Sequence, residues 1–340
     1  MPLVPPLPAA RSRHRALTAA ATGVALTGLL AGCTSPAAES TETAPDSATS
    51  AETIEFSYED FASEIPADPK RVVVLDSRSG LEMALLADYP IVATAYDDDS
   101  PLSPLVDDDA AHLKNTAFDL NREEIASYDP DLIVVGAGWY NYYEGEDFDL
   151  DEIAPILSVN DGLDVAGASV DDPFVAMVDQ LTLLGRADQA DEAIADYEAA
   201  VENARATIGD AAEGKTISVI HMPVDNFTVI SDESIYQVVL PALGFTILDN
   251  EEISSAPPNQ SSSGHMLSYE SAVSALGDAD ALLVYKAEDD LELDPLLQRV
   301  PAVQNGHWIT GNLAERFGFA LTYTAFVNGI VDAVSDFEDF

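Results

Sequence analysis

From Arg71 onward the apolar positions come in blocks rather than singly. Val72-Val73-Val74-Leu75 is a continuous apolar run, Gly80 to Ala87 has helical spacing, and Ile91-Val92-Ala93-Thr94 is a second run. Asn121 to Tyr128 then reads as a helix and Asp131-Leu132-Ile133-Val134-Val135 as another strand. Continuous apolar strands alternating with helices predict a parallel sheet covered on both faces.

The phrase returns later in the chain. Leu120-Asn-Arg-Glu123-Glu-Ile125, ending in Asp129-Pro-Asp131-Leu-Ile-Val, compares with Leu267-Ser-Tyr-Glu270-Ser-Ala-Val273, ending in Asp278-Ala-Asp280-Ala-Leu-Leu-Val. Thr216 to Ile220, Ile235 to Leu240 and Phe245 to Leu248 echo the strand, helix, strand order of residues 72–94. Two comparable α/β lobes, 54–170 and 210–340, are therefore expected. Between them, 171–209 reads as helical. Asp172-Pro173 is a good helix start, Gly185 interrupts, and Ala187 to Ile208 is rich in Ala, Glu, Asp and Arg. That last segment, at about 1.5 Å per residue, would run about 33 Å, long enough to join two lobes. Ile194, Tyr197, Val201 and Ile208 do not sustain the heptads of a coiled-coil seam.

The N-terminal pattern differs. Arg11, Arg13 and Arg15 precede an apolar run from Ala16 to Leu30, too short to span a bilayer comfortably. This is the build of a secretory signal peptide, here 1–32. Thr34 to Thr53 is almost entirely Ser, Thr, Ala, Pro, Glu and Asp, a composition that favours a flexible linker over 33–53. The chain's one cysteine, Cys33, lies between the two.

Charge narrows the partners. The chain carries 14 basic and 61 acidic side chains; without the three leader arginines the balance is 11 against 61, or −50. Nucleic acid is excluded as a partner, because phosphate binding depends on Lys and Arg. Asp97-Asp98-Asp99, Asp107-Asp108-Asp109 and Glu288-Asp289-Asp290 lack the alternating ligands of an EF-hand. They read as solvated surface. No G-x-S-x-G, H-E-x-x-H or phosphate-binding glycine loop occurs, so an enzyme is not expected. His112, His221, His265 and His307 are too scattered for a dedicated zinc or manganese receptor. His221 and His265 leave a haem or single-metal contact open.

Leu30-Ala31-Gly32-Cys33 resembles the bacterial lipobox, which implies acylation of Cys33 and a lipid anchor on the extracytoplasmic face of the membrane. The remainder resembles the solute-binding lipoproteins of ABC importers, in the class that receives ferric siderophores, haem or vitamin B12. The resemblance rests on Pro69-Lys70-Arg71-Val72-Val73-Val74-Leu75-Asp76, on Leu120 with Asp129-Pro130-Asp131-Leu132-Ile133-Val134, on Leu243-Gly244-Phe245, on Leu267-Ser268-Tyr269-Glu270 and on Pro301-Ala302-Val303-Gln304-Asn305-Gly306. It implies two Rossmann-like lobes with parallel-rich sheets, one long backbone helix and a ligand cleft between the lobes. The partners would be an ABC permease and its ATPase; a monomer without a cofactor is expected.

The loops at the strand ends would then supply the ligand contacts: Arg78, Tyr96, the cluster Trp139, Tyr140, Tyr142 and Tyr143, His221, Phe227, Tyr285, Lys286 and Arg316. The aromatic cluster is either a lip against an organic chelate or a packed hairpin. Arg78 and Arg316 either meet chelate oxygens or pair with neighbouring acids. The −50 balance disfavours a highly anionic catecholate and favours a neutral or cationic ferric hydroxamate. The resemblance further implies permease docking through one acid on each lobe, for which Glu82 and Glu233 are the candidates. Haem or cobalamin, or a surface interaction role without a small ligand, are the alternatives.

Overall fold

The computed structural model describes residues 52–340 except 96–99, 114–119, 146–147, 164, 224, 232–233, 260–263, 287–291, 312–315 and 317. The leader, Cys33 and nearly all of the linker thus lie outside the described residues, as do Tyr96 and Glu233. From Ser50 to Phe340 the chain forms one compact unit. None of its described helices is long and apolar enough to cross a membrane.

An antiparallel hairpin, β1 (Thr53–Tyr58) and β2 (Phe61–Pro66), opens the chain. The first lobe follows as β3 (Val72–Val74), α1 (Ser79–Leu86), β4 (Ile91–Thr94), β5 (Ala111–His112), α2 (Arg122–Ser127), β6 (Leu132–Gly136), α3 (Ala137–Gly145) and β7 (Ile156–Val159). Its sheet has the order β5-β4-β3-β6-β7, every pair parallel. The apolar runs are doubly buried, with alternate residues facing opposite ways. Val73, Leu75, Ile133 and Val135 pack under α2 and α3, whereas Val72, Val74, Leu132 and Val134 face a larger core shared with the second lobe.

Two helices lead across, α4 (Val175–Leu183) and α5 (Ala187–Ala212). Gly185, at φ +71°, makes the left-handed turn that separates them. α5 has 26 residues, about 39 Å at 1.5 Å each. It continues four residues beyond Ile208 because Ile208 and Ala212 both bury on its inner face. The expected start at Asp172-Pro173 is not observed: Asp172 exchanges backbone hydrogen bonds with Ser169 in a turn, and the helix begins at Val175.

The second lobe comprises β8 (Thr216–Met222), β9 (Phe227–Ile230), α6 (Ile235–Ala242), β10 (Thr246–Ile247), α7 (Glu251–Ser254), β11 (Pro258–Asn259), β12 (Gly264–Leu267), α8 (Ala272–Leu276), β13 (Ala281–Lys286), α9 (Pro301–Gln304), β14 (Trp308–Gly311) and α10 (Ala320–Ser335). Its seven-stranded sheet is mixed. β8, β10, β13 and β14 are parallel, and β9, β12 and β11 add an antiparallel edge. The shared core runs from the first sheet through α4, α5 and α10 to Ile217, Val219 and Leu283.

Candidate functional site

In an open parallel sheet the carboxyl ends of the strands are where loops can surround a ligand. Here Asp76 lies two residues past the end of β3, β6 ends at Gly136 and β7 ends just before Asn160-Asp161. Asp76 knots these ends together. Its Oδ1 accepts the N–H groups of Arg78 at 2.9 Å and Gly80 at 3.1 Å, and its Oδ2 accepts the N–H of Gly136 at 2.6 Å. The first two bonds seat the start of α1, and the third ties it to β6. Burial pushes the Asp76 carboxyl up, against the pull of those hydrogen bonds and the Arg78 charge.

Above this knot is a cavity of about 290 Å³ lined by Asp76, Arg78, Ser79, Gly136 to Trp139, Tyr142 and Asp161. The aromatic cluster is neither an open loop nor a hairpin but the helix α3, whose periodicity divides it. Trp139 and Tyr142 line this cavity, with ring centroids 6.1 Å apart and planes at 86°. Tyr143 is in the core instead, 1% exposed, beneath Trp139 at 6.1 Å and 20°. It supports the lip rather than forming it. Tyr140 turns toward Phe61, 5.1 Å away edge to face, and lines a separate cavity of about 570 Å³.

Phe227 and Tyr285 also belong to the core, each fully buried. Phe227 faces Tyr269 inside the second lobe. Tyr285 alternates with Leu282 and Val284 along β13, so it points into the shared core toward Tyr236. Neither side chain is exposed or lines the cavity. His221, Lys286 and Arg316 are partly exposed at or beyond the ends of second-lobe strands and line neither cavity. Burial, and then the Arg316 charge, hold the His221 imidazole below its ordinary value. The other expected metal contact, His265, bonds through Nδ1 to the Ala256 carbonyl. Among the described residues no group of three or more His, Cys, Asp or Glu side chains is placed to hold a metal ion.

Glu82 requires the clearest correction. It is not a surface acid but fully buried, and it crosses between the lobes. Its Oε2 accepts from Phe319 N at 2.7 Å and Thr322 Oγ1 at 2.6 Å; its Oε1 accepts from Leu321 N at 2.7 Å and Thr322 N at 3.2 Å. A first-lobe carboxylate thereby caps α10, where unpaired N–H groups and the helix dipole favour an anion. Gly318 permits the approach: at φ +143°, a Cβ there would sit 2.4 Å from Glu82 Oε2.

Asp161 went unnoticed in the sequence. It accepts a hydrogen bond from Ser79, and its Oδ2 is buried without a partner. Burial, followed by the charges of Asp76 and Glu82, pushes its carboxyl up to about 7, opposed by Arg78 and Ser79. The folded chain therefore keeps this proton to about pH 7, whereas the unfolded chain releases it near 3.8. The resulting stability is full below the lower value and is lost as pH rises through the upper one, by at most on the order of 4 kcal/mol. Asp161→Asn should accordingly melt above the wild type at about pH 8, with the gap narrowing as pH falls and closing only below about pH 4. Melting curves that run parallel across this range would contradict the assignment.

The family model of the periplasmic binding proteins matches residues 89–312. A probable siderophore-binding lipoprotein of Bacillus subtilis, YfiY, is 29% identical over 188 residues, 53% of each chain, so the match spans about half of that relative's length. Among solved structures, a periplasmic binding protein component of a Fep/Fec-like ferrichrome ABC transporter from Bacillus subtilis superposes with TM-score 0.60 at 17% identity, covering 80% of this chain and 99% of its own. The periplasmic catecholate-siderophore binding protein VctP of Vibrio cholerae gives 0.56 at 18% identity, covering 84% and 99%. These likenesses establish the shared fold: two α/β lobes joined by a long helix. The chain belongs to the periplasmic binding protein family, a family of binding proteins rather than enzymes.

Proposed function

We propose that this chain is an extracytoplasmic receptor that captures a ferric siderophore and delivers it to an ABC importer. The observation that carries this reading is the cavity at the carboxyl edge of the first sheet, with Trp139 and Tyr142 as an aromatic wall and Arg78 as a planar donor. Two relatives' names concern siderophores, one of them a catecholate, and a third concerns ferrichrome transport, so the fold does not choose the chelate. Charge does. Among the described residues Arg78 is the one basic side chain lining this cavity, which Asp76 and Asp161 also line. A neutral or cationic ferric hydroxamate suits that balance better than a trianionic catecholate. The shared core and the Glu82 joint favour a small motion of the lobes on binding. Cys33, by its sequence context, would hold the receptor to the membrane by a lipid anchor, in keeping with the relative's description as a lipoprotein.

Docking acids must be exposed, which Glu82 is not. The repeated unit supplies a pair. Glu123 is exposed in the first turn of α2, which Asn121 caps by accepting from Glu124 N at 3.1 Å; Glu270 is exposed in the turn leading into α8. Each helix runs back to begin the next strand, so both acids stand near the carboxyl edge of their sheet. Cells should take up radioactive iron presented as a ferric hydroxamate through this chain. Glu123→Lys with Glu270→Lys should lower uptake about tenfold by removing complementary charge at the permease. Uptake undiminished after deletion of the chain would refute the receptor reading.

A further inference from the structure

The larger cavity, about 570 Å³, lies on the far side of the α3 start and shares Ala137, Gly138 and Asp161 with the first. Glu59 and Asp60, exposed at the turn of the β1-β2 hairpin, form one rim. Phe61 and Tyr140 supply aromatic rings, and among the described residues no Lys or Arg lines it. Within it are two buried oxygens without hydrogen-bond partners. One is Oγ of Ser158, a residue 1% exposed; the other is Oδ2 of Asp161. Buried polar atoms left unsatisfied are costly, and those of native proteins usually meet water or a ligand.

The site is thus rich in acceptors, poor in cations and flanked by aromatic faces. That chemistry suits an organic ammonium, which brings several N–H donors and is attracted to aromatic rings. A bare metal fits less well, since the described acids are not gathered into a ligand set. The Tyr140 hydroxyl is pushed up by burial and then by the charges of Glu144 and Asp151, a second sign of a negative field on this side.

We propose that this second cavity is an ammonium subsite, receiving a primary amine carried by the framework of a chelate held in the first cavity. Asp161, in the wall between the two, releases its proton to solvent as the ammonium enters, accepts from it through the unpartnered Oδ2 and so selects for it. The proposal rests on the receptor reading above. It predicts discrimination among chelates of the same iron-binding chemistry.

The test is calorimetric titration of the full chain with two linear ferric trishydroxamates that differ only in a terminal amine, free in one and acetylated in the other. The free amine should bind about tenfold more tightly, in line with a charge-assisted hydrogen bond gained. The ratio should fall toward one in Asp161→Asn, and also in Glu59→Gln combined with Asp60→Asn. Equal affinities in the wild type, or a ratio unchanged in these variants, would overturn the subsite while leaving the receptor reading intact. If neither chelate binds, the preference for a ferric hydroxamate fails. Pentylammonium titration then decides the subsite: amide shifts at Ala137 and Asn160 that pentanol does not produce would sustain it, and their absence would overturn it.

Discussion

Glu82→Ala should lower the folding stability by about 3–5 kcal/mol, seen as a lower urea midpoint with little change in slope. The substitution removes four acceptor contacts at once. It leaves the N–H groups of Phe319, Leu321 and Thr322 and the Thr322 hydroxyl facing a small void at the start of α10. Water has little access there, because Phe319, Ala320 and Thr322 are themselves buried. Glu82→Gln should cost less, since an amide keeps the shape and one acceptor oxygen but turns an N–H donor toward other donors. A loss below about 1 kcal/mol for Glu82→Ala, the size expected of an exposed acid, would show that the two lobes do not depend on this joint.

Gly80→Ala should cost about 2–4 kcal/mol by the same assay, a large effect for one methyl group in a helix, where alanine is ordinarily favoured. A Cβ at this position would lie 2.2 Å from Asp76 Oδ2 and 3.1 Å from Gly136 N. The Asp76 carboxylate cannot swing aside without giving up its bonds to Arg78, Gly80 and Gly136. Because that knot forms the floor of the cavity, the variant should also weaken chelate binding. A neutral or stabilising result would mean that the knot is looser than its distances imply.

The fold was largely legible because its signals are local. Continuous apolar strands, helices between them, the glycine break at Gly185 and the long Ala-rich helix all appear within windows of about twenty residues. The antiparallel edge of the second sheet was less so. β9, β11 and β12 have two to four residues each, too short for a period to show. Arg78, Trp139 and Tyr142, candidates from their place after buried strands, line the first cavity. The helix that carries the aromatic cluster was not legible, and without its 3.6-residue period the buried Tyr143 could not be told from its exposed neighbours.

Long-range contacts account for the remaining differences. Glu82 reads as one surface acid among 61, because the backbone it caps lies more than 230 residues away. Asp161 stands in a polar stretch, Asn160-Asp161-Gly162, that looks like an ordinary turn; the groups that act on its carboxyl, Ser79, Asp76 and Glu82, lie about 80 residues away in the chain. Asp76 did offer a signal, an acid at the very end of a buried Val-Val-Val-Leu run, where a charge needs fixed donors to remain.

The most direct test of the receptor assignment is intrinsic fluorescence of the chain, titrated in turn with a ferric hydroxamate, a ferric catecholate, haem and cobalamin. Trp139 lines the cavity, whereas Trp308, the only other tryptophan, lies on β14 away from it. Saturable quenching is predicted with the ferric hydroxamate, largely lost in Trp139→Phe while calorimetry still records binding. Absence of binding by every chelate in both assays, or quenching that persists undiminished in Trp139→Phe, would contradict a chelate seated against α3.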